Sequence, residues 1–379
     1  MGWPLHYLIF WSIFAFQAPD SKGNSKVHFG RSNKSLLGLD ITTSSVKLIE
    51  LSKSGDTYRV ESYAAEATPL NAVNEKAIVD AQIVGEAVRR VVKRSGAKSR
   101  EAAVAISGDA AITKTIQMPA NFVGSELEGQ VELQADQYIP FPMEEVSYDF
   151  EVIGPTERDP DMIDVLLVAT RTENVEQRQA AVEAAGLKAS IVDVEAFAVE
   201  NACRLLRHQM PDEGQGHNIA VMDFGASSTT FSVLRDLKVV YTRDFAFGGQ
   251  QLTEEIMRTY GLTLEEAGRA KKEGGLPSNY EPEILEPFID DMTQQVSRSL
   301  QFFLASGTNR EQPELLLICG GCANIPGVAD VIASRVGIPT EVGNPLGMMK
   351  ISSKARSQGV MKDATALLTA CGLALRSFD

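Results

Sequence analysis

The sequence predicts an α/β protein made of two lobes built on one plan, and three observations carry that expectation. Strand-like apolar runs feed helical patterns repeatedly along the chain. A ten-residue segment occurs twice: LDITTSSVKL at 39–48 returns as MDFGASSTTF at 222–231. Both read apolar, Asp, apolar, small, small, Ser, Ser, two variable positions, apolar. Their offset, Asp40 to Asp223, is 183 residues, about half the chain, as a duplicated domain requires. Third, a buried-type apolar run at 315–318 opens into Cys319-Gly320-Gly321-Cys322, with a helical pattern from Val328.

Composition sets the frame. At about 150 residues per domain, 379 residues allow two to three domains. Apolar residues are 44% and charged residues 23%, an ordinary globular balance that excludes a disordered or collagenous chain. Lys plus Arg is 36 against 50 for Asp plus Glu, a net charge of −14. That acidity excludes general nucleic-acid binding, which needs a basic footprint. Cys203, Cys319, Cys322 and Cys371 are too few for a disulfide framework, so a reducing, cytoplasmic setting is expected. His6, His28, His208 and His217 have no metal-ligand spacing.

Residues 1–34 read as an amino-terminal extension. The run 3–18 carries no Asp, Glu, Lys or Arg. It is shorter than the roughly 20 apolar residues of a spanning helix, and no basic residue precedes it as a secretory signal needs. Three readings of 1–26 stay open: a start assigned upstream of the natural one at Val27, a peripheral anchor, and a signal-like segment.

Beyond the extension, 35–41 and 46–51 read as strands, with Ser54-Gly55-Asp56 turning into a strand over 57–65. Ala77, Val84, Ala87, Val88 and Val91 give a helical period over 76–94. Strands over 102–106 and 111–118 flank the turn Ser107-Gly108-Asp109. Ser125 with Glu128 has capping-box spacing for a helix over 125–138, which Pro140 and Pro142 end. Strands over 146–153 and 163–170 follow. A helix over 173–185 stops at Gly186, then come a strand at 187–194, a helix at 195–210 and a linker at 210–216. A new strand set begins at Asn218.

The repeated segment has a chemical reading. Small residues and hydroxyls at a hairpin tip turn backbone N–H groups toward one point, a nest that binds phosphate oxygens. An Asp just before the tip suits Mg²⁺, directly or through water. Two polar turns of no special function are the plain alternative. Two copies at matching positions favour a clamp on a nucleotide polyphosphate. Gly320 and Gly321 after a strand let the backbone approach a flat ring or a phosphate, and Pro326 suits the start of the next helix. Cys319 and Cys322 flank that glycine pair without thioredoxin-like surroundings. They read as buried small side chains, not as a redox pair or half a zinc knuckle.

In chain order stand a hairpin (37–51), a helix (193–202), a second hairpin (221–233), a Gly-Gly turn (317–327) and a closing helix (363–375). The last carries small packing residues Ala364, Ala366, Ala370 and Gly372. That order resembles the actin-like ATPase superfamily. Within it the chain is similar to the PilM family of type IV pilus assembly proteins. The segments that carry this are LLGLDITTSSVKLIEL (36–51), ELQADQYIPFPMEEVSYDFEV (132–152), DVLLVATRTENVEQR (164–178) and VDVEAFAVENA (192–202). ADQYIPFP (135–142) is the most particular, and the likeness covers roughly 35–379.

The resemblance implies an actin-like ATPase fold, two RNase H-like domains (35–210 and 211–362) around a nucleotide cleft. It implies a small extra subdomain inserted at about 118–189 and a connecting helix at 363–379. ATP and Mg²⁺ would occupy the cleft. Asp40 and Asp223 would hold hydrated Mg²⁺. Thr42, Thr43, Ser44, Ser45 and Lys47 would meet the phosphates from one side; Gly225, Ala226, Ser227, Ser228 and Thr229 would meet them from the other. Gly248 and Gly249 would approach the ribose or phosphates. Lys271 and Lys272 would lie near the adenine or ribose, or form a solvated face. Gly320, Gly321, Ala323, Asn324 and Ile325 would bracket the adenosine, with Cys322 where the family has a small residue. Glu195 stands where hydrolysing relatives orient the attacking water, and would act as base, reach Mg²⁺ through water, or simply favour the helix dipole. No arginine finger or tight P-loop lysine is visible, so at most slow ATPase activity is expected.

The implied role is an ATP-binding cytoplasmic scaffold that docks the cytoplasmic amino-terminal peptide of PilN, an inner-membrane protein of the pilus alignment complex. Membrane contact would run through that partner, and self-association stays open. Two alternatives differ from it in the residues they need. A membrane-tethered filament former like the cell-division protein FtsA would carry a basic amphipathic helix after the closing helix. Here Arg376-Ser377-Phe378-Asp379 follow that helix directly, which favours the scaffold. A small-molecule kinase would need an Asp aimed at a substrate hydroxyl in a second pocket, and none is visible.

Overall fold

The computed structural model describes residues 35–156, 159–307 and 311–379. The extension at 1–34 and its three readings lie outside the described residues. The first sheet begins with β1 (Leu37–Ile41), buried throughout, β2 (Ser45–Ser54) and β3 (Thr57–Ala67). A two-residue hairpin, β4 (Val73–Asn74) and β5 (Ala77–Ile78), precedes α1 (Ala81–Ser95). The helix expected from 76 therefore starts at 81. Glu75 and Lys76 have φ of +45° and +67°, which no helix accommodates. Asp80 caps the helix by accepting from the N–H groups of Gln82 and Ile83.

After β6 (Glu101–Ile106), the chain leaves this sheet through β7 (Ala111–Pro119), α2 (Ser125–Tyr138), β8 (Val146–Pro155) and β9 (Met162–Arg171). β9 lies between β7 and β8, antiparallel to both. Leu127, Val131 and Ala135 of α2 bury against Met118 and Leu167 in a separate small core. The capping box at Ser125 does not form, because Ser125 is already helical and Gly124 (φ +56°) is the cap.

This subdomain spans 111–171, where the resemblance implies about 118–189. The reason is packing. Val175, Ala181 and Val182 of α3 (Thr172–Ala184) join the core of the first sheet, and β10 (Lys188–Val194) pairs with β6. Helix α4 (Glu195–Cys203) follows, then a tighter 3-10 segment to Gln209 in place of one helix to 210.

The second lobe runs through β11 (Asn218–Phe224), β12 (Thr229–Arg235), β13 (Lys238–Phe245), α5 (Gly249–Tyr260), α6 (Leu264–Glu273), α7 (Glu286–Ala305), β14 (Leu315–Gly320), α8 (Val328–Val336) and β15 (Thr340–Val342). Gly327, with φ +74°, caps α8, so Pro326 sits one residue outside the helix. The remaining elements are β16 (Lys350–Ile351), α9 (Ser353–Ser357) and α10 (Leu368–Leu375).

The two main sheets repeat one topology. Their orders are β10-β6-β1-β2-β3-β16 and β13-β12-β11-β14-β15. In each, a central strand pairs antiparallel with its hairpin partner and parallel with the strand beyond. The repeat holds in register: Asp40 stands opposite Lys47 and Asp223 opposite Thr230.

The closing segment belongs to the first lobe. β16 pairs with β3, and Leu346, Ala355, Val360 and Leu367 share a core with Ile49, Leu51 and Tyr63. The boundary that the resemblance implies at 362 therefore falls earlier, after β15. Helix α10 crosses α4 so closely that a Cβ on Gly372 would lie 1.7 Å from the Ala198 carbonyl oxygen. The buried Arg376 guanidinium closes this layer with a 2.7 Å ion pair to Asp193. Among the described residues no helix is long and apolar enough to cross a membrane.

Candidate functional site

The hairpin tips between β1 and β2 and between β11 and β12 face each other. Thr43 Oγ1 and Ser227 Oγ are 2.8 Å apart, one from each copy of the repeat. Each tip is tied off internally: the Thr42 N–H donates to the Ser45 carbonyl (3.0 Å) and the Gly225 N–H to the Ser228 carbonyl (3.0 Å). Ser44 and Ser227 are exposed, and Thr42, Thr43, Ser45, Gly225, Ala226 and Ser228 are half-buried. Thr229 differs from its expected role. It is fully buried, and its hydroxyl donates to the Phe247 carbonyl (2.7 Å), which removes it from the tip.

Below the tips lies a charged cluster. Lys47 Nζ sits 2.8 Å from Asp40 Oδ2. Burial works against the Lys47 ammonium, but the Asp40 charge and hydrogen bond outweigh it and hold its pKa above the ordinary lysine value. Burial pushes Asp223 up to about 6; Lys47 opposes that shift and Asp40 adds to it. Glu195, the first residue of α4, is also pushed up by burial, against the pull of Lys76. Lys76 Nζ reaches Glu195 Oε2 at 2.7 Å and Asp244 Oδ2 on β13 at 2.6 Å. Thr230 donates to the other Asp244 oxygen at 2.5 Å.

Four carboxylates (Asp40, Asp223, Glu195, Asp244) thus share two ammonium groups. The buried Arg178 guanidinium adds a third positive charge beside Asp40 and Glu195. Among the described residues no three His, Cys, Asp or Glu side chains are placed to ligate a metal directly. The cluster suits a hydrated ion reached through water, in keeping with how Mg²⁺ retains its shell.

Lys76, Asp244 and Arg178 were not read from the sequence. Arg178 is buried on α3; its Nε donates to the Ala105 carbonyl (2.8 Å) and its Nη2 to the Lys76 carbonyl (2.5 Å), while its Nη1 has no partner. It braces the left-handed turn that carries Lys76 into the cleft. Neither lysine nor arginine stands in a local motif. Arg178 closes the segment DVLLVATRTENVEQR, but nothing in that string says which way its side chain points.

The far side of the cleft is built from close backbone. Gly248 caps α5, and a Cβ there would lie 2.3 Å from the Ala226 carbonyl oxygen, which itself accepts from the Gln250 N–H (2.8 Å). The Gly249 N–H donates to the Gly225 carbonyl (3.0 Å), so the start of α5 is docked on the second hairpin. Gly320 takes φ +85° and passes within what would be 2.2 Å of the Phe224 oxygen for a Cβ. Gly321 and Asn324 are exposed, Ile325 is half-buried and Ala323 is buried beside Cys322.

The two candidate lysines separate. Lys271 Nζ donates to the Gly249 carbonyl (2.8 Å) and Thr253 Oγ1 (2.6 Å), and burial lowers its pKa. Lys272 is exposed and lies outside the cluster. Cys319 and Cys322 are both buried free thiols.

The family model described as type IV pilus assembly protein PilM matches residues 38–378. Among solved structures, a chain of a PilM-PilN type IV pilus biogenesis complex superposes with a TM-score of 0.74 at 28% identity. The match covers 92% of this chain and 100% of that one. The ethanolamine utilization protein EutJ from Carboxydothermus hydrogenoformans superposes with a TM-score of 0.53 at 19% identity, covering 90% of this chain and 89% of that one. Cell division protein FtsA of Bacillus subtilis (strain 168) is 22% identical over 358 residues, 89% of this chain and 77% of that protein.

Proposed function

The chain belongs to the PilM family of type IV pilus assembly proteins and has the actin-like ATPase fold, and from that premise we propose that it is an ATP-binding scaffold whose cleft governs docking of the PilN amino-terminal peptide. The observation that carries the nucleotide reading is the facing of the two repeat hairpins, 2.8 Å apart at Thr43 and Ser227, above a buried cluster of four carboxylates. Thr42, Thr43, Ser44, Ser45 and Lys47 hold phosphate from one lobe. Gly225, Ala226, Ser227 and Ser228 hold it from the other. Asp40 and Asp223 hold the hydrated Mg²⁺. Bound there, the ion would add positive charge beside these carboxylates and the phosphates. Lys271, Gly248, Gly249, Gly320, Gly321, Ala323, Asn324 and Ile325 form the adenosine side.

Turnover is slow on this reading. Glu195, the candidate base, has its Oε2 committed to Lys76 at 2.7 Å, which leaves only Oε1 to meet a water. ATP then acts by favouring the closed arrangement of the lobes, a population shift rather than a chemical step. The neighbouring chain comes from a complex with PilN. The subdomain at 111–171 exposes apolar side chains, Leu133 at 66% and Ile153 at 60%, which suit an extended peptide. The partner places the protein at the cytoplasmic face of the inner membrane.

The test is calorimetric titration of the full chain with the PilN amino-terminal peptide, with and without Mg-ATP. Tight peptide binding that strengthens with Mg-ATP is the expected result. No binding in either state removes the docking role, and equal binding in both removes the coupling.

A further inference from the structure

The end of α1 carries a charge pattern opposite to the rest of the molecule. From Arg89 to Arg100, six of twelve residues are basic and none is acidic, on a chain of net charge −14. All six are exposed. Helix α1 buries Val84, Ala87, Val88 and Val91 and so turns Arg89, Arg90 and Lys93 outward on the opposite face. Arg89, Lys93 and Arg100 line one shallow cavity of about 450 Å³ between the end of α1 and the turn from α3 into β10. Its other wall is Ala185, Gly186 and Leu187, and no carboxylate lines it.

Three of the six side chains are held in place, Arg94 by a 3.1 Å ion pair with Glu66. Arg89 donates to the Ala184 carbonyl, and Arg100 donates to the carbonyls of Ala97 (3.2 Å) and Ser99 (3.1 Å). Among the described residues Arg90, Lys93 and Lys98 make no hydrogen bond or ion pair. Lys93 and Arg94 stand in the last turn of α1, where a cation complements the helix dipole. Arg90, Lys98 and Arg100 lie outside that turn. Lys188, whose N–H donates to the Arg100 carbonyl, extends the patch onto β10.

We propose that this face is a docking surface for an anionic membrane, held by lipid phosphate headgroups and independent of the nucleotide cleft. The charge asymmetry is what selects a membrane. A small anion would engage only the three residues of the cavity, whereas the cations continue along a helix face, through a loop and onto a strand. The acidic remainder of the surface is repelled by the same bilayer, so the molecule is oriented as well as attracted. Direct contact of this kind adds to attachment through a protein partner.

The experiment is sedimentation of the full chain with vesicles of phosphatidylcholine alone and of phosphatidylcholine mixed with phosphatidylglycerol. Wild type and the triple variant Arg90→Glu, Lys93→Glu, Lys98→Glu are compared. The three side chains are exposed and unbonded, and an unchanged circular dichroism spectrum certifies the fold of the variant. Binding to the anionic vesicles only, weakened by salt, is the expected result. Each basic residue near a charged bilayer is worth about a fivefold factor in affinity, so three reversals should cost at least about a hundredfold. Absence of binding, equal binding to both vesicles, or equal binding by wild type and variant overturns the proposal. Thermal protection by inorganic phosphate without vesicle binding overturns it too, and assigns the cavity to a free anion.

Discussion

Lys76 Nζ, on a left-handed turn of the first lobe, lies 2.6 Å from the Asp244 carboxylate on β13 of the second. With Glu195 at 2.7 Å, this one ammonium ties the lobes together beneath the hairpin tips. Replacing Lys76 by Met leaves two largely buried carboxylates facing each other without a cation. Removing one partner of such a pair costs about 3 kcal/mol. Denaturant unfolding should show a loss of that size, and hydrogen exchange should speed up at both tips. A loss below about 1 kcal/mol would mean that water or Thr230 already compensates the pair.

Asp223 gives a pH signature with a definite sign. Burial raises its pKa from 3.8 to about 6, so the folded chain keeps this proton where the unfolded chain has released it. Stability from this group is fully present below about pH 4 and is lost as pH rises through about 6. At pH 7 the ionised carboxylate is therefore a burden on the apo protein. Asp223→Asn should stabilise it by about 1 to 2 kcal/mol at pH 7 and by nothing at pH 4. The same change should weaken Mg-ATP binding. A variant less stable than wild type at pH 7 would refute the assignment.

Lys271 and Lys272 are neighbours in sequence and opposites in setting. The first bonds to Gly249 and Thr253 where α5 meets the second hairpin, and the second faces solvent. Lys271→Met should weaken nucleotide binding about tenfold, the value of one hydrogen bond to a charged group. Lys272→Met should leave it within about twofold. Calorimetry with Mg-ATP on both variants separates them, and equal effects would return both residues to a solvated face.

The repeated segment was legible because it uses residue types at fixed spacing, and the hairpins it predicts form with Asp40 and Asp223 at matching register. The glycine turns were legible for the same reason: Gly248 and Gly320 stand where a Cβ would strike a carbonyl. Thr229 misled because a hydroxyl at a tip looks the same whether it faces the cleft or, as here, turns inward to Phe247. Lys76 was hidden inside an expected helix. Its positive φ follows from the β4–β5 turn and from bonds made a hundred residues away by Arg178, which no local pattern encodes. The subdomain boundary slipped because α3 and β10 have ordinary α/β periodicity, and only packing decides which sheet they join.

Arg178 and Lys76 should prove coupled. The guanidinium holds the Lys76 carbonyl at 2.5 Å and the Ala105 carbonyl at 2.8 Å, so it fixes the turn from behind while Glu195 and Asp244 fix it from the front. Arg178→Met keeps the apolar stem but leaves two carbonyls without their donor, at a cost of about 2 to 3 kcal/mol. Once Lys76 is also Met, the turn has nothing to deliver into the cleft, and part of that cost has already been incurred. The double variant should therefore fall short of the summed single losses by at least about 1 kcal/mol, where independent sites add to within about 0.5 kcal/mol. Denaturant unfolding of the four proteins measures the difference. Simple additivity would show that Arg178 serves only the α3 packing and that Lys76 finds its place without it.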